Sequence, residues 1–502
     1  MEIPREIKSI IRKLEKQGFE AYIVGGCVRD FLRGTEPEDW DIATNAKPEQ
    51  IQKIFPKSFY ENRFLTVTVQ TKSKDPKLKE IEITTYRLEA KYTDKRHPDQ
   101  IGFAKTIEED LARRDFTVNA LALGLNSQAL KAKLRTGLKY QILNSKFVLI
   151  DLFGGQKDLK NKIIRAVGKP EERFNEDALR MLRAVRFATT LGFTIEPNTA
   201  QAIKKNAFWL QAISKERIRD EFLKIIMSDQ AYQGIELLRK LNLLKYIIPE
   251  LLEGYGVSQN KHHIYEVYEH NLLSLKYAAK RKFNKYVRLA ALLHDIGKPR
   301  TKKGQGPDAT FYNHEIVGAK MTAEILNRLR FPKKDIEKIV KLVRYHLFYY
   351  NVGEVGEASV RRLIRNVGPE NMEELIQLRM CDRIGSGCPK AEPYKLRYLR
   401  YLIEKLSQDP ISVKMLKVSG NDIMRILNIK PGPKIGQILN VLLGYVLADP
   451  AKNNREFLEK KIKELSKLSD AELSSLARKA VKERQMIEIK RDEMTKKKYW
   501  VT

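Results

Sequence analysis

Apolar and polar residues alternate in the first third of the chain, in "AYIVGG", "DWDIAT", "FLTVTVQT" and "KEIEITTYR", with β-branched residues at period two. That period predicts short, half-buried strands. The charged segment "MEIPREIKSIIRKLEKQGFE" before them carries apolar positions at helical spacing and predicts an amphipathic helix. A second helix is expected to follow "AYIVGG", opening near Val28. This α/β part ends near residue 160, after a basic, weakly patterned stretch, "LNSQALKAKLRTGLKYQILNSKFVLID", that reads as an insertion. From Asn175 onward the period becomes helical, in "EDALRMLRAVRFATTLGF", "ERIRDEFLKIIMSD", "YQGIELLRKLNLLKYI" and "YVRLAALLHDIGK". "NIKPGPKIGQ" marks the clearest turn between helices, and no repeat occurs at solenoid spacing. The expected organisation is a head over residues 1–160, a helical neck over 161–250, a further helical domain over 251–405 and a helical tail over 406–502.

Charge adds a partner class. The 502 residues hold 94 Lys and Arg against 63 Asp and Glu, a formal charge of +31. Such an excess points to a polyanion, nucleic acid first, with a solvated lysine-rich surface as the other reading. A hydrophobic content of 42% excludes wholesale disorder. Cys27, Cys381 and Cys388 are too scattered for a disulfide framework or a zinc ribbon and fit a reducing compartment. No stretch approaches the roughly 18 uninterrupted apolar residues of a membrane span, so a cytoplasmic protein without membrane contact is expected.

The chemistry begins in "YIVGGCVRDFLRGTEPEDWDIAT". Strand alternation puts Asp39 and Asp41 on one face and Trp40 on the other. Two like charges so close call for a compensating cation, and paired hard oxygens suit Mg2+. Glu82, on a neighbouring strand, completes a carboxylate triad for metal-assisted phosphoryl chemistry. Gly25 and Gly26 let backbone N–H groups approach a triphosphate at a helix N-terminus, and Arg29 reaches a phosphate oxygen. Taken singly, the Gly pair also reads as a plain turn, and D-x-D as chance.

In this order, "GGCVRD" and "DWDIAT" resemble the signature of the class II tRNA nucleotidyltransferase and bacterial poly(A) polymerase family, within the polymerase-β-like superfamily. The family's other motifs follow as "RRDFTVNAL" (113–121), "DLFGGQKDL" (151–159), "EDALRMLRAVRF" (176–187) and "KERIRDEF" (215–222). The resemblance implies an α/β polymerase-β-like nucleotidyltransferase head followed by an all-α helical body including an HD-type domain. It implies that Asp39 and Asp41 hold the catalytic Mg2+ and that Gly26 and Arg29 contact the nucleotide. Arg114 becomes the phosphate or ribose contact, with Arg113 as the less favoured alternative, and Asp115 and Asn119 support the sugar.

Asp177, Arg180, Arg183 and Arg186 recur at three-residue spacing among Ala, Leu, Met, Val and Phe. On a helix such neighbours touch, and arginines amid apolar positions are costly unless they are paired or face a cleft. One reading is a helix with ion pairs to Glu176 and Asp177. The resemblance implies another, in which Asp177 and Arg180 read the amine and ring nitrogen shared by cytosine and adenine. Arg183 and Arg186 then serve phosphates or hold that pair in place. The segment "RLEAKYTDKRHPDQIGF" (87–103) has the character of the family loop needed for the final A.

Further on, His270, His294, Asp295, His314, His346 and Asp382 follow the order of the HD phosphohydrolase domain, and the resemblance leaves two readings, a second divalent metal held there or a copy that serves only as scaffold. "VSGNDIMRILNIKPGPKIGQILN" resembles the C-terminal segment of HD-bearing CCA-adding members. The expected function is template-independent addition or repair of the tRNA 3′ CCA end with CTP and ATP, on a tRNA gripped at its acceptor stem and T arm. Alternatives are an A-adding enzyme or poly(A) polymerase of the same superfamily, and an HD phosphohydrolase with an RNA-binding head.

Overall fold

A computed structural model describes residues 2–61, 66–90, 100–125, 140–143, 147–260, 264–407 and 412–501. The chain divides into two compact units, one of residues 1–346 and 377–389, the other of 347–376 and 390–502.

The first unit opens with the helix Arg5–Lys16, which buries Ile7, Ile10, Ile11 and Leu14 on one stripe. The strands that follow are β1 (Ala21–Val24), β2 (Asp41–Thr44), β3 (Ser58–Glu61), β4 (Thr66–Gln70), β5 (Glu80–Thr85), β6 (Arg87–Ala90), β7 (Gln100–Phe103), β8 (Ala122–Leu125), β9 (Tyr140–Leu143) and β10 (Phe147–Ile150). Eight of them form one mixed sheet in the order β3-β4-β5-β2-β1-β8-β10-β9, and β6 pairs with β7 in a separate hairpin. Alternation sorts the side chains: Ile23, Ile42, Ile81 and Ile83 enter one core layer with Trp40 and the first helix. Tyr22, Val24, Ala43 and Val148 enter a second layer on the other face.

The neck and the HD region are helical, apart from a two-residue parallel pair, Ile163–Ile164 with Thr194–Ile195, where continuous helix was expected. Gly192, at φ +69, ends the helix Leu179–Leu191 and turns the chain into that pair.

Two local expectations are corrected. The strand of the paired aspartates begins at Asp41, because β1 ends at Val24, the residue opposite Asp41. Asp39 lies in the bend before it, without a ladder partner. The following helix opens at Gly26 rather than near Val28. Gly25, at φ +81, ends the strand and turns the chain directly into the helix.

The second unit is helical in its described residues. Its core gathers Ile423, Ile438, Leu442, Leu458, Ile462 and Leu473, and it ends with the 30-residue helix Asp470–Tyr499. The "NIKPGPKIGQ" turn falls between the helices Gly420–Leu427 and Pro433–Ala448. No helix among the described residues is long and apolar enough to cross a membrane. The "DKRHPD" stretch and most of the insertion after Leu125 lie outside the described residues.

Candidate active site

A cleft of about 750 Å³ opens where β1, β2, β4 and β5 present their second face. Asp39, Asp41 and Glu82 line it, together with Gly25, Gly26, Arg29, Arg114, Asp115, Asn119, Asp177, Arg180, Arg183 and Arg186. All the head and neck residues picked out in the sequence therefore meet in one place. The parallel pairing of β2 with β5 sets Asp41 directly opposite Glu82. Burial, then the charges of Asp39 and Glu82, push the Asp41 carboxyl up to about 6 against the pull of Arg114. A carboxylate that its surroundings leave under-compensated suits a divalent cation, so this acid set fits Mg2+.

Gly25 is needed for its space as well as its φ. A Cβ there would lie 3.0 Å from Arg114 Nη1 and 3.7 Å from Asp41 Oδ2. Behind the turn, Cys27 is buried, and burial followed by Asp41 raises its thiol to about 12, so it packs as an inert apolar group.

The "RRDFTVNAL" segment forms the cleft's second wall. Arg113 and Arg114 both pair with buried Asp110, at 2.7 and 3.1 Å. A relay then runs across the wall. Arg29 donates to Asn119 Oδ1 at 2.8 Å, Asn119 Nδ2 donates to Asp115 Oδ1 at 3.2 Å, and Arg183 Nε donates to Asp115 Oδ2 at 2.7 Å. Burial alone would raise the Asp115 carboxyl, yet Arg183, Arg180 and these hydrogen bonds hold it at about 2. The "DLFGGQKDL" motif supports this wall from outside: Asp158 accepts from Thr117 Oγ1 at 2.8 Å, and Asp151 caps the helix Gly155–Asn161.

The third wall corrects an expectation. Asp177 is not on a helix with the three arginines; it sits between the helices Pro170–Glu176 and Leu179–Leu191, at φ −140°. Its carboxylate accepts from the backbone N–H of Leu179 at 3.0 Å and so competes with helix continuation. Arg180 pairs with Glu176 at 2.5 Å and donates to the Arg113 carbonyl at 3.0 Å. Arg186 pairs with Glu221 at 2.6 Å, and Arg217 pairs with Asp177 at 2.7 Å.

Arg217 and Glu221 were not singled out in the sequence. Their signal was present as opposite charges at i,i+4 in "KERIRDEF", one face of the helix Lys215–Ile226. In all, nine Arg or Lys residues face five Asp or Glu around the cleft, an excess that suits a polyphosphate.

A second cluster lies in the helical region after the neck. His270 and His294 bring their Nε2 atoms within 2.8 Å, and Asp295 Oδ2 is 3.1 Å from the first. His314 and His346 approach Asp295 Oδ1 at 3.2 and 3.5 Å, and Asp382 Oδ1 is 3.4 Å from His270 Nε2. The Nδ1 atoms of His294, His314 and His346 each meet a backbone carbonyl three residues earlier, at 3.0, 2.6 and 2.6 Å. That leaves Nε2 as the acceptor aimed inward, the tautomer a metal requires. Burial pulls His346 below its usual value, whereas at His314 burial is outweighed by the hydrogen bond and charge of Asp295, which raise it. Lys298, which was not anticipated, reaches into the cluster: its Nζ lies 2.6 Å from Asp295 Oδ2 and 2.6 Å from Gln259 Oε1.

Comparison with known proteins agrees with this geometry. Residues 21–165 match the family profile described as "Poly A polymerase head domain", 192–254 match "Probable RNA and SrmB- binding site of polymerase A", and 261–384 match "HD domain". The chain is 34% identical over 471 residues to the CCA-adding enzyme of Ligilactobacillus salivarius, covering 92% of this chain and 98% of that protein. It is 34% identical over 437 residues to the A-adding tRNA nucleotidyltransferase of Deinococcus radiodurans, covering 84% and 90%. Among solved structures, the CCA-adding enzyme of Bacillus stearothermophilus in complex with CTP aligns with a TM-score of 0.57 and 28% identity, over 92% of this chain and 98% of that one.

Proposed function

The chain belongs to the family of the CCA-adding and A-adding tRNA nucleotidyltransferases, and on that premise we propose that it builds or repairs the CCA end of tRNA with CTP and ATP, without a template. The observation that carries this reading is the single cleft in which an acid set faces the Asp177 and Arg180 pair among surplus cations.

Asp39 and Asp41, with Glu82 alongside, would hold Mg2+. An ion held by these carboxylates would supply Lewis-acid chemistry, a lowered pKa for a nearby ribose hydroxyl and compensation of phosphate charge. Gly25 and Gly26 leave room for phosphate oxygens, and Arg29 and Arg114 contact them or the ribose. Asp115 and Asn119 support the sugar. Asp177 presents an acceptor to the exocyclic amine of cytosine or adenine, and Arg180 presents donors to the adjacent ring nitrogen. Guanine and uracil leave such groups unpaired, at a cost of about 1–3 kcal/mol each. Arg183 and Arg186, each tied to a carboxylate, hold this wall in place. The basic excess of the helical body supports a sequence-tolerant grip on the acceptor stem and T arm through phosphates. Three free thiols suit the reducing cytoplasm in which tRNA is matured.

The deciding measurement offers each NTP singly to tRNAs ending before C74, after C74 and after C75. Incorporation of CMP twice and AMP once is the expected result. AMP alone would make the chain an A-adding enzyme like the D. radiodurans relative, and unlimited A tails would make it a poly(A) polymerase.

The second cluster supports a divalent metal held by His270, His294, Asp295 and Asp382 with His314 and His346, in keeping with its inward Nε2 atoms. Metal there would supply a polarised water, the chemistry of a phosphohydrolase. Lys298 competes for Asp295. Lys298→Met is expected to tighten Mn2+ binding at least about tenfold, since a unit charge a few Å from the ion costs more than about 1.4 kcal/mol at an effective dielectric near 20. Calorimetric titration in the absence of nucleotide checks this, and unchanged or weaker binding would refute the competition.

A further inference from the structure

Arg288 is 2% exposed and lies in the helix Lys285–Leu293, six residues before the His294–Asp295 pair. It has no carboxylate partner within ion-pair distance among the described residues. It donates instead to four carbonyls: Ile226 at 3.0 Å and Ser228 at 2.8 Å, at the end of the neck helix Lys215–Ile226, and Phe283 at 2.8 Å and Ala279 at 3.5 Å in the HD region. A buried guanidinium satisfied only by backbone is costly, and the last carbonyls of a helix lack intrahelical donors. The arginine thus fastens the C-terminal end of one particular helix to the HD region. A second tie lies on the same helix, where Arg219 donates to the Arg330 carbonyl. That helix is also the one whose Arg217 and Glu221 hold Asp177 and Arg186 in the cleft. From Arg217 to Ile226 it runs nine residues, about 14 Å at 1.5 Å per residue.

We propose that Arg288 is a positioning residue for base choice: by fixing the Lys215–Ile226 helix from the HD region, it sets the angle at which Asp177 meets the incoming base. The proposal rests on the base-reading role given to Asp177 above. It gives the HD region a part in nucleotidyl transfer whether or not its own cluster does chemistry.

The test uses the full chain on tRNA ending before C74, with kcat and KM measured separately for CTP and UTP. Asp177→Ala serves as the reference for lost base reading. Arg288→Met is expected to raise KM for CTP and the UTP-to-CTP ratio of kcat/KM by about tenfold, with kcat changed less than about threefold. Arg288→Lys, which keeps a donor, should fall between it and the native protein, and Arg219→Ala should shift the ratio in the same direction by a smaller factor. Leu342→Ala, a cavity in the HD-region helix Lys333–Tyr345, which supplies none of the carbonyls that Arg288 bonds, controls for loosening and should lower Tm without moving the ratio. If Asp177→Ala leaves the ratio unchanged, the base-reading assignment itself fails. If Asp177→Ala relaxes it while Arg288→Met, Arg288→Lys and Arg219→Ala do not, Arg288 is only a structural tie and the proposal is overturned. An equal shift in Leu342→Ala also overturns it. Should Arg288→Met not fold, the lysine and Arg219 variants decide on the same criteria.

Discussion

Asp41→Asn is expected to abolish CMP and AMP transfer, by more than about a thousandfold or roughly 4 kcal/mol of barrier, and yet to stabilise the metal-free protein at neutral pH. The two effects share one cause. Burial and the neighbouring charges of Asp39 and Glu82 raise the folded-state pKa of Asp41 to about 6, above the unfolded value of 3.8. The folded chain therefore binds more protons than the unfolded chain between those values, and stability falls as pH rises through them. Below about pH 4 the group is protonated in both states and the penalty is absent. Above about pH 6 it is fully present, on the order of 3 kcal/mol. Asparagine carries no charge, so the variant should melt several degrees higher than the native protein at pH 8 without Mg2+ and at the same temperature at pH 4. Added Mg2+ should raise Tm by more in the native protein than in the variant, in which only the His–Asp cluster keeps its full donor set. Thermal scans at the two pH values, with and without Mg2+, check the linkage, and a variant that still transfers CMP would remove the acid set from the mechanism.

The second large effect is expected at the Arg183–Asp115 pair. Asp115 is 8% exposed and accepts from Arg183, Asn119 and the Phe116 N–H. Removing the guanidinium by Arg183→Met strands a buried carboxylate. Breaking a fully buried pair costs about 3–5 kcal/mol, and here about 2–3 kcal/mol is expected because a third of the Arg183 side chain meets solvent. Asp115→Asn should cost a similar amount, and the double variant less than the sum, since it leaves no unpaired charge. The pH dependence has the opposite sign to that of Asp41. The Asp115 carboxyl is held at about 2, below its unfolded value, so its stabilisation is complete above about pH 4 and is lost as pH falls toward 2. Urea titrations at pH 7 and pH 3 measure both, and simple additivity of the two single variants would show that the pair does not couple.

Much of this was readable from residue patterns. Period two located β1, β2, β4 and β5, and strand pairing sets Asp41 opposite Glu82, while Asp39 joins them from the bend before β2, although alternation predicts it in the strand. The unexpected break at Asp177 was hidden because "EDALRMLRAVRF" keeps helical periodicity throughout; what interrupts the helix is a side chain bonding to the Leu179 N–H, which periodicity does not register. Partnerships were the other hidden layer. Asp177 with Arg217, Asp115 with Arg183, and Arg288 with the Ile226 carbonyl join residues 40, 68 and 62 positions apart. Composition shows only that arginines among apolar residues need partners; which partner each finds depends on how the neck folds on itself and packs against the head and the HD region.

At Gly155 the polymer has no freedom to drift by single substitutions. A Cβ there would lie 2.3 Å from the Thr117 carbonyl and 2.9 Å from Leu121, so even alanine must shove aside the turn that carries Asn119. The obstacle is the main chain of residue 117, so no side chain at that position relieves it, and residue 155 can change only if the turn itself moves. A chimaera whose donor segment brings a side chain to position 155 would press on the turn beneath the cleft, whatever the quality of the cleft residues themselves.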